Sequence, residues 1–294
     1  MRVTTRINLA TPSDRWLWQK STLKEPTVLQ SFAFDEANKH LYVLQVTATG
    51  HAAGDLCLNR LHYDGTRLGH MYLKGFGHGV SIGIQQDAED GRTWIWTEAD
   101  AKNGYGQGIT RFHFSDGAVR TGAQVNIRHP IAGSINNQPS VCMASERIAV
   151  RYRDAANRPR YRVWDLDRFV ARDYADPVAD FAQTGAHPDA KVPFQGYALY
   201  RTCVYQLAGS AYEAKTNPAA EHGNTHVSSI DITTGGLLQR ERTEAGHSLV
   251  YREPEGLAVR GGSNPQVYFG FASGQLGARR FSIFVKEART RAEP

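Results

Sequence analysis

Hydrophobic and polar positions alternate along most of this chain. Apolar residues recur at every second position in short runs bounded by turn residues, the period of a strand with one buried face. No segment carries apolar residues at three-four spacing over several turns, so helix is scarce. One phrase recurs: a polar lead residue, usually a small residue, an alternating strand, a short turn, then a second strand carrying Tyr or Trp among β-branched residues. The copies begin Gln30-Ser31-Phe32, His78-Gly79-Val80, Gln138-Pro139-Ser140, Gln195-Gly196-Tyr197 and Glu255-Gly256-Leu257. Lead residues 30, 78, 138, 195 and 255 are separated by 48, 60, 57 and 60 positions. That period, with about four strands per copy, suits the blade of a β-propeller.

Third strands fall where a blade needs them, at Asp55–Leu61, Gly108–Phe114, Tyr161–Asp165 and His226–Asp231. Asp64-Gly65 and Asp116-Gly117 supply turn signals after the first two. Outer strands follow, as at Leu68–Leu73 and Leu237–Arg240. Little chain remains after Arg280–Val285 for a last outer strand. The segment Arg2–Leu9 is expected to supply it and close the ring, leaving no exposed edge. The prediction is an all-β, five-bladed propeller, one domain over residues 1–294.

In such a fold the inner strands line a central channel, and their first residues crowd one mouth. Gln30, His78, Gln138, Gln195 and Glu255 are therefore expected to form a polar ring. Buried amides need hydrogen-bond partners, which leaves three uses: ties between blades, a polar ligand pocket, or a cation site. Glu255 is the one carboxylate among the five, which weakens the cation use. His78 and Glu255 are the titratable members and the candidate catalytic acid–base pair. Glu253 stands two residues before Glu255, across Pro254. Trp96, with Trp94 and Tyr105, is a candidate stacking surface. Gly104-Tyr105-Gly106-Gln107-Gly108 is glycine-rich but leads into a strand, so it reads as an inter-strand loop and not a phosphate cradle.

Composition narrows the function classes. Hydrophobic residues make up 41% and charged residues 21% of the chain, with a formal net charge of +5. The charges are mixed in sign, and no basic cluster points to nucleic acid. No apolar stretch is long enough for a membrane span. Cys57, Cys142 and Cys203 are odd in number and unpaired in spacing, so they are expected as buried, reduced thiols with no zinc site. No cofactor motif is present, and none is expected. The start of the chain, Met1–Arg6, has no apolar run of signal length. The expected location is cytoplasmic, or secreted if a native signal was removed.

Several segments resemble a known family. Gln30–Asp35, Gly77-His78-Gly79, Trp96-Thr97-Glu98, Phe194–Tyr197 and Arg252–Gly256 are similar to the helveticin J and teichoic-acid biosynthesis protein C-like propellers. The resemblance runs from about Leu9 to Val285. It implies a five-bladed propeller, a fold type shared with phage receptor-binding proteins, and for some members binding to cell-wall glycopolymers. The expected function is a ligand-binding propeller that holds a polar, glycan-like molecule through Gln30, Gln138, Gln195 and Trp96 beside His78 and Glu255. The alternative is a cofactor-free biosynthetic cyclase, isomerase or lyase using His78 and Glu255. A third possibility is an interaction scaffold that uses the propeller rim.

Overall fold

A computed structural model describes residues 6–87 and 90–286. After β1 (Ser13–Lys20), the chain folds into five sheets. Blade I holds β2 (Leu29–Asp35), β3 (His40–Val46), β4 (Leu56–His62) and β5 (Arg67–Lys74) in antiparallel order. Blade II holds β6 (Gly83–Gln86), β7 (Thr93–Lys102) and β8 (Tyr105–Phe112). A short strand, β9 (Val119–Thr121), leaves blade II and pairs in parallel with β5, so blade II has three strands and blade I has five. Blade III is β10 (Ile135–Cys142), β11 (Arg147–Arg153), β12 (Pro159–Asp165) and β13 (Ala179–Ala182). Blade IV is β14 (Phe194–Tyr200), β15 (Cys203–Ala208), β16 (His226–Asp231) and β17 (Leu237–Arg242). Blade V is β18 (Glu253–Arg260), β19 (Gln266–Ser273) and β20 (Arg280–Lys286), and β1 completes it.

The ring closes by the N-terminal route, but through a different segment from the one expected. β1 pairs antiparallel with β20, from Ser13 against Lys286 to Lys20 against Phe281, so the closing strand lies after the expected segment Arg2–Leu9. Residues 2–5 lie outside the described residues. Ile7 and Leu9 are buried against blade IV, where their amides donate to Tyr205 Oη (3.1 Å) and Gln239 Oε1 (3.2 Å). An outer edge strand is half-exposed, so Ser13–Lys20 is mostly polar outside Trp16, Leu17 and Trp18, and its pattern is faint.

The small residues after each lead position have one cause, which is that the inner strands approach closely at the axis. Ser31 Oγ donates to Gly79 O (2.6 Å), joining blades I and II. Ser81 Oγ donates to Pro139 O (2.7 Å), and Ser140 Oγ accepts from Leu199 N (3.0 Å), joining II to III and III to IV. A Cβ on Gly196 would stand 3.0 Å from Gly256 Cα. One on Gly256 would stand 2.8 Å from Ser31 Cα, and Gly256 also holds φ +75. Away from the axis, facing sheets bury apolar side chains in both directions. Trp96, Trp164 and Phe169 fill one such space, and Phe32, Leu41, Tyr268 and Ile283 another. The three cysteines are buried and free. Among the described residues no helix is long and apolar enough to cross a membrane.

Candidate functional site

A cavity of about 560 Å³ opens at the mouth where the inner strands begin. Gln30, His78, Gln195 and Glu255 line it, so lead residues of blades I, II, IV and V share one space. Glu253, Tyr251, His51 and Arg279 complete its polar wall, and Leu276, 91% exposed, stands at its rim.

His78 reaches this wall from an unpaired segment and not from a strand, because β6 starts only at Gly83. A buried carboxylate holds that segment. Glu98 on β7 is fully buried and accepts from the amides of Gly79 and Gly106, the latter at 2.8 Å. Gly77 must be glycine here, since a Cβ would meet Glu98 Oε2 at 2.1 Å. Gly106 packs on Glu98 in the same way. The glycine-rich run 104–108 is therefore mostly strand, shaped around this carboxylate. Burial pushes the Glu98 carboxyl up, and the amide donors oppose the rise. The His78 ring stacks on Tyr105 (5.1 Å between centroids) and meets His51 edge-on (5.2 Å). Its Nδ1 is buried with no hydrogen-bond partner. Burial first, and then His51, pulls the His78 pKa down to about 4, so the imidazole is neutral at pH 7.

The opposite wall is a strained turn. Tyr251 and Arg252 both have positive φ, +76 and +42. Arg252 is fully buried and fixes the turn, donating to Ala245 O (3.0 Å), Thr243 O (2.9 Å) and Thr225 Oγ1 (3.0 Å) over the Phe271 ring. Burial lowers its pKa to about 10. The turn delivers Tyr251, whose hydroxyl donates to Glu253 Oε2 (2.7 Å), and then Glu255. Glu255 is 5% exposed, and Gln30 Nε2 faces its Oε1 at 3.5 Å. Burial, reinforced by Glu253, pushes the Glu255 carboxyl well above the usual range. Gln195 Nε2 donates to Gly209 O (3.0 Å), which turns Oε1 away as an acceptor.

Two expected members are elsewhere. Gln138 is absent from the cavity wall. Its Oε1 accepts from Arg151 Nη1 (2.9 Å), whose buried guanidinium also lies over Phe194 (3.9 Å) and donates to Gln183 Oε1 (2.7 Å). This bond joins neighbouring strands within blade III, so the Gln138 side chain is engaged inside its own blade and not between blades. Trp96 is fully buried between blades II and III, with Nε1 donating to Gln85 Oε1 (2.9 Å), so its face is not open to a ligand. Trp94 stacks instead on His113 and Arg111 at the flank of blade II. The residues the sequence does not single out are His51, Tyr251 and Arg279. Glu98 and Arg252 stand in motifs of the family resemblance, without a role. Among the described residues, no three side chains of His, Cys, Asp or Glu converge in a metal-ligand cluster.

The geometry now has relatives. Residues 28–284 match the family described as the phage 5-bladed beta propeller receptor binding platform domain. The chain is 27% identical over 286 residues to the "Putative major teichoic acid biosynthesis protein C" of Bacillus subtilis (strain 168), covering 91% of this chain and 61% of that protein. It therefore spans less than two thirds of that relative's length. The tail fiber of Staphylococcus aureus phage P68 superposes with a TM-score of 0.76 at 15% identity, covering 95% of this chain and 53% of the fiber chain. An exo-beta-1,3-galactanase from Phanerochaete chrysosporium superposes with a TM-score of 0.52 at 10% identity, covering 95% of this chain and 67% of that one. At these identities the two structures share the fold.

Proposed function

This chain belongs to the family of phage five-bladed propeller receptor-binding platform domains, and we propose that it is a binding module that holds a polar, glycan-like ligand in the mouth cavity. One observation carries the reading. Four lead residues from four blades converge on one open cavity of about 560 Å³, with a buried carboxyl and an imidazole among its polar groups. Polar groups from several elements gathered in a preformed concave site are what a ligand's hydroxyls would bond to. The kinship with receptor-binding propellers and with a teichoic acid biosynthesis protein supports the same class of ligand. Capture on an array of cell-surface glycans tests it. Gln195→Ala and His78→Ala should each weaken capture by about tenfold, the worth of one lost polar contact of ~1.4 kcal/mol. Undiminished capture by both variants would remove the cavity from the account.

A second reading has its own observation. A neutral His78 and a carboxyl at Glu255 pushed up toward its protonated form are the states that a general base and a general acid require. Under this reading the cavity converts its ligand. Mass spectrometry of a captured glycan after long incubation separates the two. A new mass formed by the wild type and not by Glu255→Gln favours conversion, and an unchanged mass leaves binding alone.

A further inference from the structure

Taking the mouth cavity as the ligand site, we infer that its deep end receives a primary ammonium group, so that the ligand is a glycan bearing free amines. Two carboxyl groups, Glu253 and Glu255, line the same small space. Neither makes an ion pair among the described residues, although twelve such pairs occur elsewhere among them. Glu255 is 95% buried, and its one hydrogen bond, from Gln30 Nε2, is long at 3.5 Å. Gly209 O can only accept, so the amide nitrogen of Gln195 is fixed on it and Oε1 remains an acceptor. This part of the wall thus presents three acceptor groups, Glu253, Glu255 and Gln195 Oε1, with no ion pair among the described residues.

The cations nearby do not correct the imbalance. Arg279 lines the cavity, but it lies flat on the Tyr251 ring (3.5 Å) and donates to Gly274 O. His78 carries no charge at pH 7, by its burial. A buried carboxylate calls for a charged, hydrogen-bonding partner. Sugar hydroxyls would bond to it without neutralising it. An ammonium brings one charge and three donors, and Glu255, Glu253 and the Gln195 oxygen on the same cavity wall are acceptors for them.

This assignment has a proton signature. In the empty site, burial and Glu253 favour the protonated form of Glu255. An arriving ammonium reverses that preference, so binding expels a proton from Glu255. The groups facing this carboxyl are Glu253 and Tyr251 on its own segment, Gln30 on blade I, His78 and His51 across the cavity, Gln195 on blade IV and Arg279 from the β19–β20 turn.

Titration calorimetry near pH 6 with a short glucosamine oligomer and its N-acetylated counterpart, in two buffers of different ionisation heat, tests it. The amine-bearing oligomer should bind at least about tenfold tighter, a preference of ~1.4 kcal/mol. Its heat should differ between buffers. Both effects should vanish in Glu255→Gln and weaken in Glu253→Gln, with unchanged circular dichroism showing that each variant is folded. Equal affinity for the two oligomers overturns the ammonium assignment and leaves the glycan reading standing. Binding of neither oligomer, by a protein that still captures other glycans through Gln195, overturns the assignment too. Failure of all glycan capture overturns both.

Discussion

The two ends of the axial channel are built by the same five inner strands, yet they present different groups. At the mouth, Gln30, His78, Gln195 and Glu255 line the cavity, with His51, Glu253 and Arg279 beside them. At the far end the same strands enclose about 390 Å³ lined by Phe32, Ile84, Val141, Leu199 and Leu257, with Glu36 and Ser140 also on that wall. The far end is held by burial, the non-directional term that tolerates any apolar side chain of about the right size. The mouth is held by glycines, a strained turn and buried charges, each of which works only in one geometry. Ligand chemistry therefore sits at one end of the strand set, and substitutions at the far end should change stability without changing capture.

The largest effect should come where both ends depend on one contact. Gly256→Val would drive a side chain into Ser31 Cα from a positive φ. It should cost more than about 3 kcal/mol in denaturant unfolding, the scale of a core clash added to backbone strain. A cost below about 1 kcal/mol would mean the strands are not tightly stitched at the axis. A smaller effect is expected from Glu98→Gln. It sets an amide NH2 against donors that now face a carboxylate, and should cost about 2 kcal/mol. It should also free the His78 segment and weaken capture, a double effect that no substitution at the far end should show.

The smallest effect concerns pH. The Glu255 carboxyl titrates higher in the folded protein than in the unfolded chain. The folded state therefore holds more protons over the window between those two values, and its stability falls as pH rises through it. Glu255→Gln lacks this loss, so near pH 7 it should melt above the wild type, by on the order of 2 °C for each kcal/mol regained. His78 acts in the opposite sense. Its lowered pKa costs stability as pH falls from about 6.5 to about 4, and His78→Asn should flatten that acid limb of the melting curve. Equal pH profiles for wild type and both variants would mean that neither group is buried as described.

The blades were legible because the inner-strand phrase carries its own physics: a polar group at the mouth, a small residue for close approach, then apolar alternation. Where an element is half-exposed the signal fades, which is why the pattern points to Arg2–Leu9 as the closing strand and passes over Ser13–Lys20. Trp96 misled for a related reason. In a propeller both faces of a blade are covered by neighbours, so a mid-strand aromatic is buried whichever way it points. Gln138 shares its position with the other lead residues but not its surroundings, because Arg151 from the adjacent strand takes its amide oxygen. Arg252 was invisible as a site element, since nothing in its sequence context marks a charged residue for full burial.

The most direct test of the central claim is glycan-array capture by three forms of the protein: wild type, Gln195→Ala at the mouth and Leu199→Ala at the far end. The account predicts that Gln195→Ala loses capture by about tenfold at unchanged melting temperature. Leu199→Ala should keep capture while losing about 3 kcal/mol of stability. Capture that survives Gln195→Ala and fails in a folded Leu199→Ala would place the ligand at the wrong end of the channel and contradict the account.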